Sequence, residues 1–201
     1  MTLDRLRPLA DRLLDPFVRA AKAAGLTPDA ISVLAFLLAV GAGLAFYQAG
    51  PSFYLLGALL VFLNGWLDLL DGALARELAT DSPAGDLLDH VLDRYADVVV
   101  VAGLAGGIGQ YALGFAAVTG VLLTSYLGTQ IEAVGLEREY GGLLGRADRL
   151  ALIGFVGVLA PVVPTIGGVS VVALLLGFLA VVGHLTAVQR FLGGFRALRR
   201  P

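Results

Sequence analysis

Three long stretches of this chain contain no Asp, Glu, Lys or Arg: Ala30 to Leu67, Val98 to Ile131, and Leu150 to Gln189. A helix crosses roughly 30 Å of hydrocarbon with about 20 residues, so each stretch is too long for one span and long enough for two. Each also carries turn formers near its middle: QAGPS at 48–52, GGIGQ at 106–110 and PVVPTIGG at 161–168. The pattern predicts three helical hairpins, hence six spans, near 30–47, 52–73, 86–106, 111–133, 146–161 and 169–190. With 58% of its 201 residues apolar and only 15% charged, the chain cannot build a water-soluble surface of ordinary composition.

The hairpin turns are uncharged, whereas all 14 Lys and Arg residues lie in the N-terminal segment, in the segments joining the hairpins, or at the C-terminus. This is the positive-inside pattern. It predicts an integral, multi-pass cell-membrane protein with both termini in the cytoplasm. The 16 acidic residues fall on the same side, so the active site is expected there too. Residues 1–25 place Leu3, Leu6, Leu13, Leu14, Phe17 and Val18 among Arg5, Arg12, Arg19 and Lys22. They read as an amphipathic helix at the cytoplasmic interface, its basic residues meeting lipid head groups and not nucleic acid; a helix packed on the inner ends of the spans is the alternative. Thr27 is placed to cap the first span, with Pro28 in its first turn. The absence of cysteine excludes disulfides and thiolate chemistry. Met1 to Leu26 does not read as a signal peptide, and residues 1–201 read as one all-α membrane domain.

Against this background the helix DLLDGALAR at 68–76 is exceptional. Asp68 and Asp71 lie three residues apart, on one helix face, and Asp89, Asp93 and Asp97 repeat every fourth residue along a stripe of the next helix. From the helical rise, Asp68 and Asp93 lie near the inner boundary of the hydrocarbon. Carboxylates facing each other there repel and are costly to desolvate, so something positive must join them. Their hard oxygens suit Mg²⁺ or Mn²⁺; two such ions would bridge a phosphate-containing substrate. Protonated carboxylates in a proton pathway are the competing reading. Gly72, Ala75 and Gly85 leave room for a bulky ligand, which Arg76 is placed to meet as a phosphate or nucleotide.

The pattern Asp68-x-x-Asp71-Gly72-x-x-Ala75-Arg76, followed after eight residues by Gly85-x-x-x-Asp89-x-x-x-Asp93, resembles the complete signature of the CDP-alcohol phosphatidyltransferase family. The resemblance extends over the six-span layout and the amphipathic N-terminal helix. It implies transfer of a phosphatidyl-type group from a CDP-linked lipid to the hydroxyl of a polar alcohol, with release of CMP. It further implies two divalent cations, Mg²⁺ or Mn²⁺, held by Asp68, Asp71, Asp89 and Asp93, with Asp93 also the base. The CDP part of the donor would lie near Gly72, Ala75, Arg76 and Gly85. A homodimer is implied as well; Gly103 and Gly107 form a GxxxG that suits either a packing face or a dimer face.

Ser125, Tyr126, Glu132 and the run Gly145-Arg146-Ala147-Asp148-Arg149-Leu150 resemble the phosphatidylinositol-phosphate and archaetidylinositol-phosphate synthase branch, as do the N-terminal DPF and GLTPD. An inositol-phosphate-like acceptor follows, with Glu132, Arg138, Arg146 and Arg149 as candidate contacts. Leu127 to Ile131, where that branch carries basic residues, has none; glycerol 3-phosphate or an unphosphorylated alcohol such as serine is the alternative acceptor. A cation transporter using the same carboxylates is the more distant alternative, although it has no need of the glycines and arginine at these intervals. His90 is expected at a head-group or helix contact and His184 in packing. Asn64 and Trp66 fit either a ligand lining or span packing.

Overall fold

The computed structural model of the chain describes residues 7–80, 82–136 and 144–199, with side chains from residue 13 onward. Its helices are α1 (Arg7–Ala23), α2 (Pro28–Gln48), α3 (Pro51–Leu78), α4 (Pro83–Gly107), α5 (Tyr111–Ala133), α6 (Arg146–Leu159) and α7 (Val171–Leu198). All six expected helices are present, α2 to α7, with boundaries close to those read from the turn formers. Thr27 caps α2 as its position predicts, accepting from the Ala30 N–H at 3.2 Å.

The span count is narrower than expected. Among the described residues four helices, α2, α3, α5 and α7, are long and apolar enough to cross a membrane. Helix α4 interrupts its apolar run with the carboxylate stripe, and α6 has only 14 residues, about 21 Å of rise against roughly 30 Å of hydrocarbon. The chain is thus an all-α multi-pass membrane protein in which composition alone supports four of the six spans. The third turn holds a two-residue hairpin, β1 (Thr165–Ile166) with β2 (Val169–Ser170), paired antiparallel. Gly167 and Gly168, at φ 60° and 81°, form the left-handed pair that such a tight turn requires.

Helix α2 is the common wall of the bundle, because both α3 and α4 pack along it. Its alanines and glycines make this possible. A Cβ placed on Gly103 would strike the Gly43 carbonyl, and one on Gly107 would strike that of Phe46. The GxxxG is therefore taken up by packing of α4 on α2 within one chain. Phe46, fully buried, fills the space beside Gly57 and Gly157 at the centre of the core.

Helix α1 runs unbroken through Pro16. It docks through Leu14, Val18 and Ala21 on Ile31, Leu70 and Leu74, and Phe17 meets the Trp66 ring edge-on at 5.4 Å. Lys22 Nζ also lies 2.9 Å from Glu77 Oε1. The apolar seam dominates, since burial of one large aliphatic side chain contributes about 1.5–3 kcal/mol and an exposed ion pair about 0–1 kcal/mol. The segment is thus packed on the start of α2 and the latter part of α3, as in the alternative reading of a helix packed on the spans, and retains an apolar edge at Leu13 and Phe17.

Candidate active site

Because α3 and α4 each lean on α2, their carboxylate-bearing faces are held opposite one another with a gap between them. Asp68, Asp71 and Asp89 each direct one oxygen into this gap, all three within 4.8 Å of one another. Asp71 is buried, and its Oδ2 accepts a 2.7 Å hydrogen bond from the Ser32 hydroxyl of α2. Three hard oxygens at this spacing, with the ligand from one helix oriented by a hydroxyl from another, fit a divalent cation of the Mg²⁺ or Mn²⁺ type.

Asp93 stands apart from that trio. Its Oδ1 lies 2.7 Å from Arg146 Nη2 and its Oδ2 lies 3.4 Å from Arg94 Nη2. Arg146 also reaches Asp68 Oδ1 at 2.7 Å through Nη1, so one guanidinium from α6 joins the facing carboxylates of α3 and α4. Asp97, one turn further along α4, is buried against Arg149, whose Nη2 is 3.1 Å from its Oδ2. Both arginines come from the first turn of α6, where the Gly145 N–H donates to Asp148 Oδ2 at 3.0 Å and fixes the helix start.

Beside Asp93 opens a cavity of about 500 Å³. Four arginines line it, Arg94, Arg146, Arg149 and Arg190, together with Ser125 and Tyr126. Arg94 donates to the Ser125 hydroxyl, and Arg190 Nη1 donates to the Thr124 carbonyl at 2.6 Å. The basic residues absent from Leu127 to Ile131 are thus supplied by α4, α6 and α7. Sequence reading named Arg146 and Arg149 but missed Arg94 and Arg190. For Arg190 a signal was present: it continues the buried face Leu175, Leu179, Thr186 of α7 at helical spacing, so it points inward where an anchoring arginine would point to head groups.

A second cavity, of about 710 Å³, is an apolar groove between α3 and α6. It runs from Leu55 and Val158 past Phe62 and Trp66 to Asp68 and Arg146. Trp66 is therefore a lining residue as well as a packing one, stacked on Phe62 at 6.2 Å.

The remaining predicted residues divide. Gly72 and Ala75 are half-buried on α3, one helical turn and less from Asp71, and Arg76 is exposed beyond them. Gly85 lies in the first turn of α4, where a Cβ would come 3.2 Å from both Asp29 Oδ1 and Ser82 Oγ. Gly72, Ala75 and Arg76 thus follow Asp71 along α3, and Gly85 lies one turn before Asp89 on α4. Glu132 is exposed near the end of α5 and is not among the residues lining the arginine cavity. Arg138 lies outside the described residues. His90, expected at a head-group or helix contact, lines the arginine cavity, with Nδ1 3.9 Å from Asp89 Oδ2. His184 meets Thr119 Oγ1 at 3.4 Å between α7 and α5, the local contact expected.

Residues 25–189 match the family model described as CDP-alcohol phosphatidyltransferase. The chain is 32% identical over 200 residues to the archaetidylinositol phosphate synthase of Methanothermobacter thermautotrophicus, covering 98% of this chain and 96% of that one. It is 31% identical to the phosphatidylinositol phosphate synthase of Streptomyces avermitilis, over 92% of this chain and 78% of the relative. Among solved structures, the phosphatidylinositol phosphate synthase of Mycobacterium tuberculosis with CDP-DAG bound superimposes with a TM-score of 0.78 at 27% identity, over 92% and 94% of the two chains. The same enzyme in complex with manganese and citrate gives a TM-score of 0.78, covering 90% of this chain and 88% of that one.

Proposed function

The chain belongs to the CDP-alcohol phosphatidyltransferase family, and from that premise we propose that it transfers the phosphatidyl-type or archaetidyl group of a CDP-linked lipid to a hydroxyl of a phosphorylated polyol of the inositol-phosphate class, releasing CMP. The observation that carries this reading is that three sites meet at shared residues. The apolar groove ends at Asp68 and Arg146, the carboxylate gap contains Asp68, and the arginine cavity contains Arg146 and Asp93. A donor with its tails in the groove, its diphosphate at the carboxylates and an anionic acceptor in the cavity has its reacting groups side by side.

Asp68, Asp71 and Asp89 would hold one divalent cation and Asp93 would contribute to a second; such cations would neutralise the diphosphate and the charge that develops on departing CMP. Gly72, Ala75 and Gly85 leave space for the cytidine portion, and Arg76 meets its phosphate. The arginines of the cavity hold the acceptor phosphate, which an unphosphorylated alcohol does not need; four cations lining one half-enclosed cavity are the feature that favours a phosphorylated acceptor over serine. They equally disfavour a cation pathway.

Asp93 is the base. It is the carboxylate that borders the acceptor cavity while standing outside the trio of converging oxygens. As the acceptor oxygen bonds to the lipid-bearing phosphorus, its proton passes to an Asp93 carboxylate oxygen, and the bond from that phosphorus to the CMP oxygen breaks with its electron pair leaving on CMP. Arg146 and Arg94 orient that carboxylate. The site opens to the cytoplasm, both termini lie there, and α4 and α6 complete six spans, supported by the one-sided distribution of Lys and Arg.

The test is purified protein in detergent with a CDP-lipid and Mn²⁺ or Mg²⁺, each candidate acceptor supplied separately, with CMP and lipid product measured. Inositol phosphate is expected to support turnover ahead of glycerol 3-phosphate and serine; turnover with serine alone would overturn the acceptor assignment. Matched diacyl and diether donors report the lipid backbone.

A further inference from the structure

Beside the carboxylate gap lies a small, partly enclosed pocket of about 10 Å³ whose polar lining is Ser32, Asn64, Asp68, Asp89 and Asp93. That is room for one water molecule. Asn64 is 2% exposed and sits one helical turn before Asp68 on α3. Its Nδ2 donates to the Ala35 carbonyl at 2.9 Å, which fixes the orientation of the amide, since a carbonyl oxygen there would find no donor. Its Oδ1 is buried and has no hydrogen-bond partner. An acceptor left bare in this way costs about 1–3 kcal/mol, and neighbours that are themselves carboxylates cannot relieve it. The Ser32 proton is committed to Asp71 at 2.7 Å. A small molecule that donates hydrogen bonds satisfies the site, and a single water fits the volume.

We propose that Asn64 is a positioning residue, holding a single water that donates to its Oδ1 and to a metal-ligating carboxylate and so sets the orientation of the ligand trio. The inference rests on the metal-binding reading of the trio. It adds a second supporting contact to that made by Ser32. Oriented carboxylates bind a cation more tightly because they lose less freedom on binding, and loss of such an outer contact weakens affinity about 10–100-fold.

The experiment is Mn²⁺ titration of the full-length protein in detergent, followed by electron paramagnetic resonance, for wild type, Asp68→Asn, Asn64→Leu and Asn64→Ser. Leucine has the branched shape of asparagine, but its bulkier methyl groups offer nothing to water and take up its space. Asn64→Leu is expected to bind Mn²⁺ about tenfold more weakly, and Asn64→Ser, which offers a hydroxyl and space for water, to return close to wild type. A lower metal-free melting temperature in Asn64→Leu with unchanged Mn²⁺ affinity is the signature of a packing residue and overturns the proposal. Wild type that binds no Mn²⁺ removes the metal reading itself, whereas binding abolished in Asp68→Asn but intact in Asn64→Leu removes only this inference. Should Asn64→Leu fail to insert, density for a water within hydrogen-bond distance of Asn64 Oδ1 in a high-resolution wild-type structure supports it, and an empty cavity refutes it.

Discussion

Arg149 Nη2 lies 3.1 Å from Asp97 Oδ2, and both residues are less than one-tenth exposed. This pair joins α6 to α4 behind the arginine cavity, so Arg149 has a structural partner as well as a place in that cavity's wall. Truncating it removes the nearest partner of a buried carboxylate and leaves the longer contacts with Arg94 at 3.7 Å and Arg146 at 4.0 Å. Arg149→Ala is expected to destabilise the protein by at most about 3–5 kcal/mol, read as a drop in melting temperature in detergent. An unchanged melting temperature together with a raised acceptor KM would show that Arg149 serves the acceptor alone.

Arg190 offers a second test of acceptor binding. It lines the cavity from α7, where its Nη1 donates to the Thr124 carbonyl, and charged hydrogen bonds contribute about 1.5–3 kcal/mol. Arg190→Leu is expected to raise the KM for a phosphorylated acceptor on the order of tenfold or more, with the KM for the CDP-lipid little changed. Equal effects on both substrates would contradict an acceptor-side position.

Asp93→Asn keeps Arg146 paired with Asp68, so the variant is expected to fold. Loss of a positioned base costs about 10²–10⁴-fold, and CMP release should fall by that order while Mn²⁺ binding at the trio of Asp68, Asp71 and Asp89 is retained. Near-normal turnover in an inserted, metal-binding variant would remove Asp93 from the proton-transfer role.

Asp68 is shared between the ligand trio and Arg146. Asp68→Asn is expected to shift the Mn²⁺ or Mg²⁺ requirement to higher concentration by about tenfold or more. A metal titration superimposable on that of wild type would exclude Asp68 as a ligand.

Gly103 touches the backbone of Gly43 across the α2 and α4 contact. Gly103→Ala therefore overpacks the wall that positions both carboxylate helices, at about 1–3 kcal/mol. A lower melting temperature at unchanged oligomeric state is the expected result; a change in association with full thermal stability would return these glycines to a dimer face.

The sequence alone determined the hairpins, the helix boundaries and the chemistry of the carboxylate motif, because these depend on local quantities: runs without charge, turn formers, and helical spacing within one or two segments. Thr27 as a cap and Asp68 with Asp71 on one face are legible for the same reason. Which helices touch was decided only by tertiary packing. Asp93 went to Arg146, Asp97 to Arg149, and Ser32 to Asp71, each across segments far apart in the chain, where spacing carries no information about distance. The arginine cavity shows the consequence most clearly. Its cations come from α4, α6 and α7, and no single stretch is rich in them, so a reading along the chain finds a deficit after Tyr126 that the folded molecule does not have. The GxxxG at Gly103 likewise announces a close helix contact, but only the position of α2 says that the partner is the same chain.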